Sequence, residues 1–213
     1  MAKVECIGVF GNDLMVVNAA RVSFFKESKD ITTQDEKLIK YLARNNHITP
    51  FFHPQVQFRI RMPIFVAREW YRHQIGFARN EVSRRYVDET PECFVPDYLR
   101  KRNISIKQGS SLEKIEENDA CMLLINNLHL TSIELYEELL KSGVCPEQAR
   151  IVLPQSMYTE FIETGSLAAY ARLCKLRLDP HAQKEIQVYA DMVSTILMEK
   201  FPVSWNALMN DGV

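Results

Sequence analysis

Short apolar segments predict the strands of this protein. Val56, Phe58 and Ile60 are separated by single polar residues, so an extended backbone would place these apolar side chains on one face and polar, basic ones on the other. Residues 4–10 form a second apolar segment, which a Gly-Asn-Asp turn terminates, and residues 157–162 form a third. We therefore predict three strands.

Apolar residues that recur every three or four positions predict helices in much of the remaining chain. Thr33 and Glu36 are spaced as a capping box, so a helix is expected to begin there and to stop around residues 45–47. Pro63 suits the first turn of another helix, which Gly76 would end. The other predicted helices are residues 14–22, 111–142, a short segment from Pro146, 167–178 and 180–200.

The longest predicted helix is capped by Ser110 or Ser111 and runs to Ser142, where Gly143 closes it. Its apolar residues predict a packing seam, either inside one subunit or between subunits. His129 lies beside the seam and is interpreted as a packed histidine rather than a ligand. The seam residues are Ile115, Met122, Ile125, Leu128, Ile133, Tyr136 and Leu140.

Helices mixed with short strands, without regular strand–helix alternation, predict an α+β fold. We expect a short antiparallel or mixed sheet packed with several helices, and an irregular excursion over residues 92–109. A chain of 213 residues can bury a core without disulfides, so residues 1–213 are predicted to form a single domain. The glycine-rich motifs of Rossmann and P-loop nucleotide sites do not occur in the sequence.

Composition argues against a nucleic-acid-binding, a disulfide-stabilised or a membrane-spanning protein. The formal net charge is −1, so no global basic field indicates a nucleic-acid partner. The five cysteines are odd in number and never spaced as CxxC, which is typical of reduced thiols in the cytoplasm. Cys174 falls on the apolar stripe of its helix and is expected in the core. No apolar run approaches membrane-spanning length, and the first residues lack the layout of a signal peptide.

The candidate chemistry is concentrated between Arg59 and Arg85, where there are seven arginines and no lysine. Arginine presents a rigid planar fork of donors that matches phosphate and carboxylate oxygens, so the cluster indicates fixed recognition of an anion. On the predicted helix, Arg68 and Arg72 would share one face, as would Glu69 and His73. Beyond that helix, an extended backbone would point three further side chains the same way. These are Glu81, Ser83 and Arg85.

Six segments, in the same order along the chain, resemble the flavin-dependent thymidylate synthases. The family signature is Arg-His-Arg followed, after seven residues, by Ser; here it is RHQ at 72–74 and NEVSRRY at 80–86. Gln74 replaces the second arginine, and eight residues separate it from Ser83, so we expect the extra residue as a local bulge within 76–79. The other matching segments are AARVSF at 19–24, HITPF at 47–51, PIFVAREWYRH at 63–73, ARIVLP at 149–154 and LRLDPHAQKEI at 176–186.

This resemblance implies an enzyme that methylates dUMP to dTMP. The one-carbon unit would come from methylenetetrahydrofolate, and the hydride from FAD that NADPH has reduced. It also implies a homotetramer with active sites built from several subunits, and no metal. The positions that match the family's nucleotide contacts are Glu69, Arg72, Glu81, Ser83, Arg84, Arg85, Arg150 and Arg177. Those that match its FAD contacts are Thr49, Arg72, His73, Gln74, Glu81 and Arg172.

Within that set, Arg177 is expected to be catalytic. A guanidinium stays protonated at neutral pH and cannot act as a base, but beside the uracil ring it would favour the N3-deprotonated form and polarise the ring. Arg85, Arg150 and Ser83 would hold the phosphate, and Arg84 would contribute its backbone N–H. No cysteine nucleophile is then required.

Three alternatives remain open at this stage. A nucleic-acid-binding module would use the same arginines with Trp70, Tyr71, Phe77 and Tyr86 stacked on bases. A protein that keeps the fold and binds flavin or nucleotide without methyl transfer would also fit the altered signature. The third is an α+β oligomer with a basic groove that binds neither.

Overall fold

The computed structural model describes residues 2–87, 89–104 and 110–211. Its strands are β1 (Lys3–Phe10), β2 (Gln55–Pro63), β3 (Phe77–Glu81) and β4 (Tyr158–Ser166). They form one antiparallel sheet in the order β1-β2-β4-β3. Together with the helices, this sheet confirms the predicted α+β class.

The helices have the following bounds. They are α1 (Asp13–Arg21), α2 (Thr33–Arg44), α3 (Ile64–Trp70), α4 (Asn118–Lys141), α5 (Pro146–Ala149), α6 (Leu167–Arg177), α7 (Lys184–Lys200) and α8 (Pro202–Asn206). Short 3-10 segments cover Val22–Phe24, Thr49–Phe52 and Arg150–Val152, and a π-helical segment covers Ala207–Asp211. None of the helices that the structure describes is long and apolar enough to cross a membrane.

Backbone hydrogen bonds fix the pairing of β2 with β4. The Leu167 N–H, just after β4, donates to Pro54 O, just before β2, at 3.1 Å. The Ile64 N–H, just after β2, donates to Met157 O, just before β4, at 2.9 Å. Each strand thus ends beside the start of the other, and a helix leaves from each of these ends.

The predicted alternation is observed in these strands. Val56, Phe58 and Ile60 are fully buried, and the intervening residues are more exposed. β4 repeats the same pattern over nine residues, which extends the predicted strand at 157–162 by four residues at its carboxyl end. Because burial on one face removes apolar area from water, the alternation accounts for both strands.

Four predicted helix boundaries are wrong, and one of them is the start of α7, which lies at Lys184 rather than at Pro180. The cap of α2 is Thr32, whose hydroxyl and backbone bond to Asp35, rather than Thr33 with Glu36. α3 ends at Trp70, well before Gly76, and its C-cap residue Tyr71 packs edge-on against Phe161. α4 begins at Asn118.

The long helix α4 is less buried than a core helix. Tyr136 is the one seam residue that is fully buried, whereas Leu128 is exposed. His129 is buried and its Nε2 lies 2.7 Å from Ser156 Oγ, which confirms a packed histidine. The predicted excursion is irregular over 92–104, and its remainder, 105–109, lies outside the described residues.

The chain divides into two compact units. Unit 1 consists mainly of Arg61–Tyr71 and Glu81–Phe161. Unit 2 consists of Lys3–Ile60, Arg72–Asn80 and Ile162–Val213, and seven of the eleven residues of its helix α6 are buried. The single domain over residues 1–213 stays a prediction.

Candidate active site

Unit 1 contains a cleft of about 460 Å³, which we call pocket A. Its walls come from α3, the end of β3, the 3-10 segment after α5 and the start of β4. Its polar groups are Arg68, Glu81, Ser83, Arg84, Arg150 and Thr159. Tyr71, Leu153 and Tyr158 are among the residues that form the less polar wall.

Local hydrogen bonds position the donors of pocket A. Ser83 Oγ accepts from the Arg85 N–H at 3.3 Å, in the turn that follows β3. The Arg85 guanidinium lies 3.4 Å from the Glu147 carboxylate, and Arg150 Nε donates to the Glu147 carbonyl, also at 3.4 Å. The Arg84 side chain donates to the Glu89 carbonyl. α5 therefore gathers Arg85 and Arg150 around a single residue.

Unit 2 contains a second cleft of about 380 Å³, which we call pocket B. Arg72, His73, Gln74 and Arg172 supply its polar groups, and Ile75, Phe77, Ala169 and Leu176 supply its apolar surface. The Arg172 Nη2 donates to the Ile75 carbonyl at 2.6 Å, so α6 is tied to the segment that follows α3.

A tight turn shapes one wall of pocket B. The Phe77 N–H donates to Gln74 O at 3.2 Å, and Gly76 has a φ of +83°, which side chains other than glycine rarely adopt. A Cβ at Gly76 would lie 2.9 Å from Ala169 Cβ. Glycine is thus required here both by the backbone conformation and by the close approach of α6.

The same turn leads into β3, where the sequence predicted a bulge for the extra residue of the signature. Gly76 O accepts from the Ser166 N–H, and the Val82 N–H donates to Glu160 O. The two bonding positions are six residues apart on both sides, so β3 and β4 stay in register between them. The predicted bulge within 76–79 is therefore wrong.

His73 and Arg177 form the most unusual contact of pocket B. Arg177 Nε donates to His73 Nε2 at 2.9 Å, which requires the ring proton to lie on Nδ1. Burial, and then the positive charges of Arg177, Arg79, Arg172 and Arg72, lower the pKa of His73 to about 4. The imidazole is thus a neutral acceptor that orients the Arg177 guanidinium.

We expect His73 to titrate near pH 4 rather than at its ordinary pKa of 6.5. Its ring carbon and nitrogen shifts, followed by NMR from pH 8 to pH 3.5, give the midpoint. Because the unfolded chain would bind this proton more readily, His73 should progressively destabilise the folded state as the pH falls from about 6.5 to about 4. A midpoint above pH 6 in the folded protein contradicts the contact with Arg177.

A buried ion pair lies on the β3–β4 face of unit 2. Arg79 pairs with Glu163, whose side chain is fully buried, and the Arg79 guanidinium also lies 4.8 Å from the Phe77 ring centroid. Removing one partner of a buried pair leaves an uncompensated charge, so the pair fixes how β3 lies on β4. The sequence offered no signal for this pairing, since the two residues are 84 positions apart.

The site residues predicted from the sequence fall into two groups. Those lining pocket A are Glu81, Ser83, Arg84 and Arg150, with Arg85 held beside Arg150 by Glu147. Those lining pocket B are Arg72, His73, Gln74 and Arg172, with Arg177 bonded to His73. Glu69 on α3 and Thr49 in a 3-10 segment line neither of these two described pockets.

The early end of α3 separates residues that the sequence placed on one helix face. Arg68 is helical and lines pocket A, whereas Arg72 and His73 lie beyond Trp70 and line pocket B. Strand β3 likewise ends at Glu81, so the predicted extended arrangement through Ser83 and Arg85 is wrong. Sequence reasoning also missed Thr159, which lines pocket A on β4.

Cys174 is fully buried, and burial raises the pKa of its thiol far above the ordinary value. This confirms the predicted core position and leaves no thiolate for catalysis. We expect the Cys174→Ser variant to keep activity within about twofold, because the Sγ contacts only core groups such as the Ala190 carbonyl. Steady-state rates and melting temperatures of this variant and of Cys174→Ala test the expectation; a folded but inactive variant would indicate a thiol mechanism.

Comparisons with known proteins agree with one another. The model of the family described as thymidylate synthase complementing protein matches residues 7–203. The flavin-dependent thymidylate synthase of Thermotoga neapolitana is 41% identical over 206 residues, covering 97% of this chain and 90% of the relative. That of Thermosipho melanesiensis is 40% identical over 204 residues, covering 95% and 88%.

A solved structure extends this likeness to the fold. The UMP/dUMP methylase PolB from Streptomyces cacaoi, crystallised with 5-Br dUMP, superposes with a TM-score of 0.89 at 31% sequence identity. The match covers 100% of this chain and 96% of PolB. The fold described above is therefore also that of a protein which binds a pyrimidine nucleotide.

Proposed function

This chain belongs to the family of flavin-dependent thymidylate synthases, and from that premise we propose that pocket A receives dUMP and pocket B receives FAD. The protein is a methyltransferase of dTMP synthesis that uses FAD. Methylenetetrahydrofolate supplies the one-carbon unit and NADPH the reducing equivalents in this proposal. The observation that carries it is the family match over residues 7–203 combined with a cleft that collects four of the expected nucleotide contacts.

The donors of pocket A suit a phosphate dianion. Arg150 and Ser83 line the pocket, and Arg85, which pairs with Glu147 beside Arg150, adds a second planar guanidinium next to it. Charge-assisted bonds from arginine to phosphate are shorter and about twice as strong as neutral ones, so this set favours a nucleoside monophosphate over a free nucleoside. We assign Ser83 to binding rather than attack, as the sequence indicated.

The residues of pocket B fit the flavin cofactor. Arg72 and Arg172 offer positive charge for a diphosphate, while Ile75, Phe77 and Leu176 offer apolar surface for a flat ring system. The glycine turn at Gly76 lets the backbone approach α6 closely, which keeps the cleft narrow. When bound, FAD supplies the hydride that the reaction needs.

Arg177 is the residue we assign to activation of the uracil ring. Its charge is permanent, so beside the ring it stabilises the N3-deprotonated form and draws electron density away from C6. His73 accepts from Arg177 Nε and, being neutral, adds no negative charge beside the guanidinium. A protonated His73 would repel Arg177 instead, so the low pKa of His73 is part of this assignment.

We further propose that the protein works as a homotetramer in the cytoplasm, with active sites that combine residues of several subunits. The expected nucleotide contacts are divided between pockets A and B, and a shared site accounts for that division. Exposed leucines on α4 support an assembly, since large apolar patches mark interfaces. They are Leu123, Leu124, Leu128, Leu130 and Leu135. Light scattering of the native particle distinguishes a tetramer from a monomer.

The function is tested by the colour of the protein. We expect the purified protein to be yellow, to bleach on anaerobic addition of NADPH, and to bleach faster when dUMP is present. Addition of methylenetetrahydrofolate should then yield dTMP, identified by chromatography. A colourless protein that acquires no flavin from added FAD would refute the assignment of pocket B.

One alternative has a specific observation in its favour. Gln74 lines pocket B where the family signature has an arginine, which lowers the positive charge available there. A protein that binds flavin and nucleotide without methyl transfer would tolerate that loss. Complementation of a thymidine-requiring cell separates the two functions, because only a thymidylate synthase restores growth without thymidine.

A further inference from the structure

Pocket A contains a hydrogen bond that joins two of its walls. Thr159 Oγ1, on β4, donates to Glu81 Oε1, at the end of β3, at 2.5 Å. Both residues line the cleft, and Thr159 is 3% exposed. The nearly buried Thr159 hydroxyl thus donates its one hydrogen bond to a carboxylate that lines a proposed substrate site.

The register of the sheet explains why these two side chains meet. The bond from the Val82 N–H to Glu160 O places Glu81 opposite Phe161 and diagonal to Thr159. Diagonal neighbours on one face of an antiparallel pair are within reach when one side chain is long, as glutamate is. Thr159 and Phe161 are buried on that face, whereas Glu81 is exposed, so the bond to Thr159 rather than packing sets the direction of its carboxylate.

The chemistry of this bond favours one orientation of the carboxylate. A hydroxyl that donates to an ionised carboxylate forms a short, charge-assisted bond. With Oε1 engaged by Thr159, Oε2 can accept from a ligand in pocket A, which Glu81 lines. An ionised carboxylate can accept hydrogen bonds but cannot donate them. The ligand group that it binds must therefore carry an N–H or O–H.

We propose that Thr159 is a positioning residue that orients Glu81 to accept a hydrogen bond from the free ribose hydroxyl of dUMP. This inference rests on the proposed function, since it requires that pocket A receive the nucleotide. At 3% exposed, Thr159 offers the substrate little surface of its own. Its effect passes through the direction of the Glu81 carboxylate and is therefore expected in substrate binding.

The test is a comparison of dUMP affinity and turnover in three variants. Thr159→Val removes the hydroxyl at nearly constant volume and is expected to raise the dissociation constant and KM for dUMP by about tenfold, with kcat within about twofold. Thr159→Ser restores the hydroxyl and should return both constants to within about twofold of wild type. Thr164→Val makes the same change on the same strand, where the hydroxyl accepts from Gln57 Nε2 at 2.9 Å, and should leave both constants unchanged.

A double-mutant cycle shows whether Thr159 acts through Glu81. In a Glu81→Ala background, Thr159→Val should cause no further loss of dUMP affinity by calorimetry, because the acceptor is already gone. An equal tenfold loss in that background would overturn the inference, and so would a folded Thr159→Val variant with wild-type affinity. If Thr159→Val melts at a much lower temperature than wild type, the same affinities are measured at low temperature for Thr159→Ser and for the double-mutant cycle. The same outcomes then support or overturn the inference. A wild-type protein that binds no dUMP would instead refute the proposed function.

Discussion

Replacing Arg177 by alanine is expected to abolish dTMP formation while flavin stays bound. The kcat should fall by at least about a hundredfold, since removing one preorganised electrostatic donor costs that much in other enzymes. Flavin should remain because Arg72, Gln74 and Arg172 still line pocket B. The variant also removes the donor of His73, so the pKa of His73 should rise while burial keeps it below the ordinary value.

The matched control for this variant is Lys175→Ala. Lys175 is a cation in the same last turn of α6, two residues away, and it does not line pocket B as described. Lys175 is half-buried and lines neither described pocket, so its loss should leave kcat within about threefold. If Arg177→Ala loses its flavin while retaining its fold, or if it keeps turning over, the assigned role of Arg177 is wrong.

Replacing Arg150 by alanine should weaken dUMP binding rather than slow turnover. The guanidinium contributes a charge-assisted contact to the phosphate in ground state and transition state alike, so KM should rise by about a hundredfold with kcat nearly unchanged. Arg150→Lys should recover only part of the loss, because an ammonium lacks the planar fork.

The substrate provides a further control for Arg150. Deoxyuridine carries no phosphate, so its slow reaction should have the same kcat/KM in wild type and in Arg150→Ala. Arg44→Ala, which removes an exposed arginine at the end of α2, should change neither substrate's kinetics. A phosphate-independent loss in Arg150→Ala would mean that Arg150 supports the fold of pocket A instead.

The boundaries of α2 and α4 show where local patterns are insufficient. Thr32 with Asp35 and Thr33 with Glu36 have the same spacing, and tertiary contacts select the first pair: Asp35 also accepts from Arg21 at 2.5 Å and from Ser28 at 3.1 Å. At α4, Ser111 caps only the Glu113 N–H, within its own turn. A strand such as β2 was predictable because burial repeats at every second residue, a signal carried by consecutive positions.

The sequence predicted which residue types form the candidate site, but not that these residues are divided between pockets A and B. One contiguous motif supplies Arg72 and His73 to pocket B and Ser83 to pocket A, because α3 stops early and β3 intervenes. The contacts that orient these residues span long separations: Arg177 to His73 over 104 positions and Thr159 to Glu81 over 78. Such pairs depend on sheet register and helix placement, which no local pattern contains.

A crystal structure of the holoenzyme soaked with dUMP tests the central claim most directly. The account predicts phosphate oxygens about 2.7–3.0 Å from Arg150, Arg85 and Ser83, with an Arg177 nitrogen within hydrogen-bond reach of the uracil ring. Nucleotide bound elsewhere on the protein, with these three arginines making no contact to it, would contradict the account.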